Sequence, residues 1–296
     1  MDVIYTGGEF TVTLHQSDLA KYLLCPEQAR QLWHGEAEDF TTGEAAIGTA
    51  FHYAVEHFLG GYPPQEALEA ARERLSALCT SPRFRWVKVK TEATAQKHLA
   101  TCWRAWYEDV YPVLGWPSAV EQKFDLPFFD YIHDDGQCDA TSLVPVNVRL
   151  AGMIDMIEDP GTVIDWKTGS RLTKYTTDGW QLKRWGVQPG PYTWAAFKLG
   201  YAEPPVTFSW CAIERSTGKH AWLSTTRGPE DWSWLQVMCK NVIDTVLRDA
   251  PTWPINDQHA LCSPDWCPAW NGCKGSVVAG HPQGVNEGEA VLLGSS

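Results

Sequence analysis

The sequence lacks the long hydrophobic runs and the basic N-terminus that membrane and targeted proteins carry. No uninterrupted apolar stretch approaches the ~18 residues that a membrane span requires. The first ten residues, MDVIYTGGEF, contain two acids and no base, whereas targeting peptides begin with positive charge. We therefore expect a soluble, cytoplasmic protein with no membrane partner.

Positive charge is also scarce. The chain has 24 Lys and Arg residues against 36 Asp and Glu residues, which gives a formal charge of −12. Phosphate attraction is the sequence-independent part of nucleic-acid affinity, so any such binding here must depend on local clusters of bases.

The cysteines do not follow a disulfide pattern. There are nine of them, an odd number, spread over 296 residues without an export signal. A chain of this length buries roughly three quarters of its unfolded surface and needs no cross-links to be stable. The sequence therefore predicts one or two globular domains of ordinary composition.

Hydrophobic spacing predicts a helical first part and an α/β second part. Helical periodicity recurs at residues 44–59, 64–79 and 92–110, so the first 110 residues are expected to be mostly α-helical. Strand composition follows at residues 120–129, 146–158, 162–169 and 205–214, with helices at 191–199 and 231–248. Residues 276–296 show no periodicity and are expected to form a disordered tail.

Two of the predicted strands form a hairpin that carries acidic residues. Period-two alternation places Asp165 and Lys167 on one face of the second strand. If Glu158 pairs with Thr162 around a three-residue loop, Asp155 lies directly opposite Asp165, with Cβ atoms roughly 5 Å apart. A two-residue loop would point the two aspartates to opposite faces, so the hypothesis requires the three-residue loop.

Paired carboxylates on one face suit a metal site. They repel each other unless a cation lies between them, and hard oxygen ligands favour Mg²⁺ or Mn²⁺. Such a metal polarises a phosphodiester and lowers the pKa of a bound water, while Lys167 orients the nucleophile or stabilises developing negative charge. Because a D-x-K tripeptide is too short to be specific, a solvated surface hairpin is the alternative.

A wider set of motifs resembles a nuclease family. GTAFH at residues 48–52, GMID at 152–155, DWKTG at 165–169 and the Gln188–Tyr192 pair resemble the RecB-type branch of the PD-(D/E)XK nuclease superfamily in order and spacing. The resemblance covers residues 17–274 and is least diagnostic at 62–112. It implies an α/β, restriction-endonuclease-like core with a mixed central sheet flanked by helices, a helical N-terminal region, and a single domain at 1–275 with a helical insertion at 62–112.

The resemblance also implies a catalytic set: His52, Asp155, Asp165, Lys167, Gln188 and Tyr192. In that family the two acids bind the catalytic metal, Mg²⁺ or Mn²⁺, and the histidine adds a ligand. The lysine is catalytic, and the glutamine–tyrosine pair helps to hold the substrate near the scissile phosphate.

Four cysteines resemble those of the family's iron-sulfur members, which include AddB-type nucleases and CRISPR-associated exonucleases of the Cas-four type. The matching residues are Cys25, Cys262, Cys267 and Cys273. The resemblance implies a 4Fe-4S cluster that joins the segments 17–35 and 255–275. Four thiolates also suit zinc, and the sequence does not separate the two groups.

Local clusters of bases and tryptophans are the candidates for contact with DNA. Residues 167–184 contain five bases and one acid, and residues 83–90, RFRWVKVK, contain four bases and no acid. Tryptophans beside them suit base stacking on single strands. The candidate DNA-binding residues are Arg171, Lys174, Lys183, Arg184, Trp86 and Trp180. A solvated charged face is the alternative for either stretch.

The resemblance favours a metal-dependent DNA exonuclease that acts on single-stranded ends in recombination, repair or CRISPR adaptation. Because the chain has no helicase motif, it would act alone or beside a separate helicase or a recombination or adaptation protein. One alternative is a phage-type recombination exonuclease that resects double-stranded ends. Another is a non-catalytic, nuclease-like DNA-binding or assembly subunit, against which the intact Asp155, Asp165 and Lys167 argue. A cluster-bearing redox sensor is the third.

Overall fold

A seven-stranded mixed sheet lies at the centre of the protein. The computed structural model describes residues 1–134, 143–175, 186–248, 250, 253–257 and 261–273. The strands of this sheet are β1 (Asp2–Thr6), β2 (Glu9–His15), β5 (Pro117–Asp134), β6 (Leu143–Glu158), β7 (Thr162–Gly169), β8 (Val206–Glu214) and β9 (His220–Arg227). A separate pair is formed by β3 (Thr41–Thr42) and β4 (Phe84–Arg85).

In the part of the chain that the structure describes, seven α-helices accompany the sheet. They are α1 (Gln16–Leu24), α2 (Pro26–Trp33), α3 (Gly43–Leu59), α4 (Pro64–Cys79), α5 (Glu92–Ala105), α6 (Pro189–Lys198) and α7 (Pro229–Leu247). The mixed sheet and its helices confirm the predicted α/β class. Among the described residues, no helix is both long enough and apolar enough to cross a membrane.

Strand β6 organises the sheet because it has three partners. One of its edges pairs with β5 over most of its length. The other edge is shared: residues 146–151 pair with β2 in parallel, and residues 156–158 pair with β7 in antiparallel orientation. The GMID segment, residues 152–155, therefore lies between the end of one partner strand and the start of the next.

The two faces of the sheet are covered by different helices. On one face, side chains of α6 and α7 such as Trp194 and Leu235 join the buried residues of β2, β6 and β8. On the other face, α3, α4 and α5 pack over Met156, Ile164 and Trp166. The helical stretch at 62–112 thus shares a hydrophobic core with β6 and β7.

The first 110 residues are mostly helical, as predicted, but they begin with two strands that the sequence analysis did not predict. Strands β1 and β2 form a hairpin that turns at Gly7 and Gly8, which adopt φ angles of 63° and 90° that favour glycine. Val12 and Leu14 are fully buried, because β2 packs into the central sheet beside β6. The helical N-terminal region begins only at Gln16. The predicted tail at 276–296 lies outside the described residues.

Candidate metal centre and cysteine cluster

The two motif aspartates meet where β7 leaves β6. Glu158 pairs with Thr162, which confirms the predicted three-residue loop, and the ladder ends at the pair Met156–Ile164. We call the opening beyond this last pair the β6–β7 fork. Asp155 and Asp165 are the next residues on either side, and both are buried. The Trp166 amide donates a 2.8 Å hydrogen bond to Asp155 Oδ2 across the fork.

His52 reaches the fork from helix α3. Its Nε2–H donates to the Trp166 carbonyl oxygen at 2.7 Å, and its Nδ1 lies 3.3 Å from Asp155 Oδ2. Burial disfavours a charged imidazole, but the Asp155 carboxylate outweighs it and raises the pKa of His52 to about 9. The same contacts hold the pKa of Asp155 below its ordinary value despite its burial.

Lys167 and Gln188 contact the second carboxylate. Lys167 Nζ forms an ion pair with Asp165 Oδ2, and Gln188 Nε2 donates to Asp165 Oδ1 at 2.6 Å. Gln188 is held in turn by the Trp210 indole, whose N–H lies 3.4 Å from Gln188 Oε1. Burial, together with the charge of Asp155, raises the pKa of Asp165 to about 6 even beside the lysine.

Tyr192 follows Gln188 by one turn of α6 and packs beside the GMID segment. Its ring lies edge-on to Phe124, with centroids 6.0 Å apart. A Cβ at Gly152 would lie 2.9 Å from the Phe124 ring and 3.3 Å from the Tyr192 ring. Only glycine therefore fits at the first position of GMID without displacing these rings. Burial raises the pKa of Tyr192 above its usual range.

Glu121 is a site residue that the sequence did not reveal. Its neighbours in β5, Val120 and Gln122, pair with Met156 and Ile154, so Glu121 lies across from Asp155. Its backbone has φ of 47°, a left-handed conformation that costs a glutamate about 1–2 kcal/mol. Such strain persists where the surroundings impose it, commonly at functional sites.

Glu121 completes a compact donor group. Ligand atoms of His52, Glu121 and Asp155 all lie within 4.8 Å of one another, and no other His, Cys, Asp and Glu residues in the described ranges form such a group of three. Burial, assisted by the charge of Asp155, raises the pKa of Glu121 to about 7. Only the pairing register of β5 with β6 identifies Glu121 as a site residue, and the periodicity of the sequence does not predict that register.

These side chains fit a divalent metal. One imidazole and three carboxylates converge from α3, β5, β6 and β7, an oxygen-rich set of the kind that Mg²⁺ and Mn²⁺ accept. Burial is the main cause of the raised pKa values of Glu121 and Asp165, and the charge of Asp155 adds to it. A bound cation would relieve the repulsion from Asp155.

The candidate DNA-binding residues are only partly placed. Arg171 is exposed just after β7, and Lys174 lies in the short 3₁₀ helix Leu172–Tyr175. Trp86 is half-buried, because its ring packs against Gly43, where a Cβ would meet it at 2.9 Å. Lys183, Arg184 and Trp180 lie outside the described residues.

The four motif cysteines lie together at the corner between α1 and α2. Cys25 forms this corner, and Trp253 and Cys267 are joined to it by hydrogen bonds from the Trp253 amide to Glu27 (3.0 Å) and from Gln28 to Cys267 Sγ (3.7 Å). Burial raises the pKa of Cys267 to about 12, and the other three thiols contribute to this rise. Their mutual influence requires that the four thiols be neighbours.

Four neighbouring thiols are a suitable ligand set for a metal group. They suit a single zinc ion as well as an iron-sulfur cluster.

The fork, with its paired acids and its lysine, lies within the part of the chain that a family model matches. The model of the PD-(D/E)XK nuclease superfamily matches residues 13–274, and the chain belongs to this superfamily. No curated protein matches the sequence.

The solved structures that resemble the chain include the following two. One, from Eubacterium rectale, carries a provisional exonuclease assignment; it is 12% identical, with 84% of this chain and 86% of that chain covered and a TM-score of 0.49. The other, SSO0001, is also 12% identical, with 84% and 81% covered and a TM-score of 0.30.

Proposed function

We propose that this protein is a metal-dependent DNA exonuclease that hydrolyses phosphodiester bonds at single-stranded ends. The observation that carries the proposal is the convergence of His52, Glu121, Asp155, Asp165 and Lys167 at the β6–β7 fork, in a chain that belongs to a nuclease superfamily.

Each side chain at the fork has a role in this proposal. The imidazole of His52 and the carboxylates of Glu121, Asp155 and Asp165 hold the divalent ion. When bound, the ion polarises the phosphodiester and lowers the pKa of a bound water. Lys167 places its ammonium group beside Asp165, where it stabilises negative charge as it develops on the phosphate.

Gln188 and Tyr192 orient the groups of the site and take no part in the reaction itself. The 2.6 Å hydrogen bond from Gln188 fixes the carboxylate plane of Asp165. Tyr192 is packed between Phe124 and Phe208, and its ring lies beside Gly152 of the GMID segment. We assign this pair to the positioning of the ligand set and the substrate.

We infer that Cys25, Cys262, Cys267 and Cys273 bind a 4Fe-4S cluster. The supporting observations are the contacts of Trp253 and Cys267 with the α1–α2 corner and the proximity of the four thiols to one another. The cluster would fasten this segment to α1 and α2 and make residues 1–275 one domain. On the resemblance to iron-sulfur family members, we place the protein in recombination, repair or CRISPR adaptation, beside a separate helicase or adaptation protein.

Digestion of end-labelled DNA tests the proposal. Anaerobically purified protein is given single- or double-stranded DNA labelled at one end or the other, with Mg²⁺, Mn²⁺ or EDTA. We expect metal-dependent loss of label from single strands, abolished in Asp165→Ala and Lys167→Ala. Faster loss from duplex ends would favour a recombination exonuclease that resects double strands. A folded, metal-loaded protein that cuts nothing, or variants that cut as well as wild type, would make a DNA-binding subunit the better interpretation.

A further inference from the structure

The basic segment 83–90 is held rigidly against the start of helix α3. Strand β4 within it pairs with β3. The amides of Lys88 and Val89 both donate to Glu44 Oε1, at 2.8 and 2.7 Å. Because Glu44 lies in the first turn of α3, the segment has a fixed place relative to the helix that carries His52.

The positive charges of this segment are largely uncompensated. Arg83 pairs with Glu38 at 3.2 Å. Arg85, Lys88 and Lys90 are exposed, and none has a carboxylate oxygen within 4.0 Å in the part of the chain that the structure describes. In a protein with 36 acids and 24 bases, three neighbouring unpaired cations are a local reversal of the overall charge.

Aromatic rings alternate with these cations. The Arg85 guanidinium lies 4.0 Å from the centroid of the Phe40 ring, and Lys88 Nζ lies 5.4 Å from the centroid of the Trp266 ring. Half-buried Trp86 stands between them in sequence. The rings come from three separate segments of the chain. We call this surface the basic–aromatic track; it consists of Phe40, Arg85, Trp86, Lys88, Lys90 and Trp266.

The chemistry of the track suits a single nucleic-acid strand. Single-strand sites combine a positive groove for the backbone with flat groups on which bases stack, and an arginine plane over a ring serves this purpose as well as a ring alone. A duplex offers the same phosphates but keeps its base faces stacked inside. The aromatic members of the track would therefore gain nothing from duplex DNA.

The distance between the track and the β6–β7 fork is short enough for one DNA strand to reach both. Trp86 contacts Gly43, nine residues before His52 on the same helix. At a rise of 1.5 Å per residue this separates them by about 13 Å along the axis of α3. That length corresponds to a few nucleotides of an extended strand.

We propose that the basic–aromatic track binds single-stranded DNA a few nucleotides away from the bond at the β6–β7 fork. The inference rests on the proposed nuclease function, for which it supplies a strand path. Trp266 directly precedes Cys267, so one wall of the track is carried by the segment that the cysteine cluster fastens.

Binding in the absence of metal tests the track separately from hydrolysis. Fluorescence anisotropy of a labelled oligothymidylate of about 20 nucleotides is measured in EDTA over a range of salt concentrations. The test variant is Arg85→Ala/Lys88→Ala/Lys90→Ala. The matched control, Arg74→Ala/Lys97→Ala/Arg104→Ala, removes three exposed bases from α4 and α5.

We expect the test variant to bind at least about tenfold more weakly, and the slope of log affinity against log salt to become shallower by about 2, since each lost phosphate contact contributes about 0.7. The control should keep the wild-type slope. Equal affinity and slope for wild type and test variant, or equal losses in both variants, would overturn the proposal.

Aromatic substitution tests the strand preference. Trp266→Leu should reduce the preference for the single strand over a duplex of equal length, whereas Trp266→Phe should retain it. If Trp266→Leu keeps the wild-type preference for the single strand, the Trp266 ring does not take part in binding. If the wild type binds through the track but hydrolyses no DNA with Mn²⁺, the proposed function fails and this inference stands.

Discussion

Glycine at position 121 should stabilise the metal-free protein relative to alanine, the reverse of the usual order in a strand. Glu121 has φ of 47°, a conformation that costs a residue with a Cβ about 1–2 kcal/mol and costs glycine little. In an ordinary strand, glycine is roughly 0.5–1 kcal/mol worse than alanine. The difference between Glu121→Gly and Glu121→Ala therefore isolates the backbone strain, because both variants lack the carboxylate.

We expect Glu121→Gly to exceed Glu121→Ala by about 1 kcal/mol in unfolding free energy, or roughly 2–4 °C in Tm for a chain of this size. Urea and thermal unfolding in EDTA measure the difference. Adding Mn²⁺ should stabilise the wild type and stabilise both variants much less, since a ligand of the donor group is gone.

Two results would refute this reasoning. If Glu121→Ala is the more stable variant in EDTA, the left-handed backbone is not imposed by the fold. If Mn²⁺ raises the Tm of both variants as much as that of the wild type, Glu121 does not belong to the metal centre. Glu121→Gln provides the control, because it keeps the strain and the side-chain shape while removing the charge.

Three further predictions concern residues other than the metal ligands. Gly152→Ala should lower the unfolding free energy by roughly 1–3 kcal/mol in urea titrations, because its Cβ would lie 2.9 Å from the Phe124 ring; an unchanged midpoint would contradict the close packing. Partial burial opposes the charge of Asp244, yet three hydrogen bonds, the first from Lys240, hold the pKa of Asp244 below its ordinary 3.8. The charged carboxylate of Asp244 thus stabilises the fold above pH 3.8, and this stabilisation is lost as the pH falls through the lower folded-state pKa. We expect Asp244→Asn to be less stable than the wild type at pH 7 and to lose less stability on acidification. Denaturation at several pH values measures both effects. Cys25→Ser should abolish iron binding and expose the segment 261–273 to protease while leaving Mn²⁺ stabilisation intact; zinc in place of iron in metal analysis of the wild type would contradict the cluster.

The local sequence pattern was sufficient to predict the β6–β7 hairpin that carries the two aspartates, but it did not predict the site residue that comes from β5. The alternation around Asp165 and the three-residue loop fixed the register with Asp155, because a turn and two short strands determine each other locally. Glu121 was not predicted as a site residue because its role depends on the pairing of β5 with β6, which joins distant parts of the chain. Its backbone conformation also breaks the period on which strand prediction rests.

The N-terminal hairpin was missed for a related reason. Residues 9–15 alternate as a strand does, but they directly precede a helix, and their burial depends on a parallel partner, β6, more than a hundred residues later. The placement of His52 was available only through its motif, since a histidine on an amphipathic helix is ordinarily structural. The proximity of its ring nitrogens to Asp155 and to the Trp166 carbonyl comes from the docking of α3 on the sheet.

The β6–β7 fork has a consequence for how the protein folds. Its side chains come from α3, β5, β6, β7 and the residue before α6, so the donor group closes only after contacts distant in sequence have formed on both faces of the sheet. Contacts of this kind form late, because loop closure must precede them. A partly folded chain can contain the β6–β7 hairpin and both aspartates and still lack His52, Glu121 and Gln188. Metal affinity should therefore appear last during refolding, as a single late step that reports the completed fold.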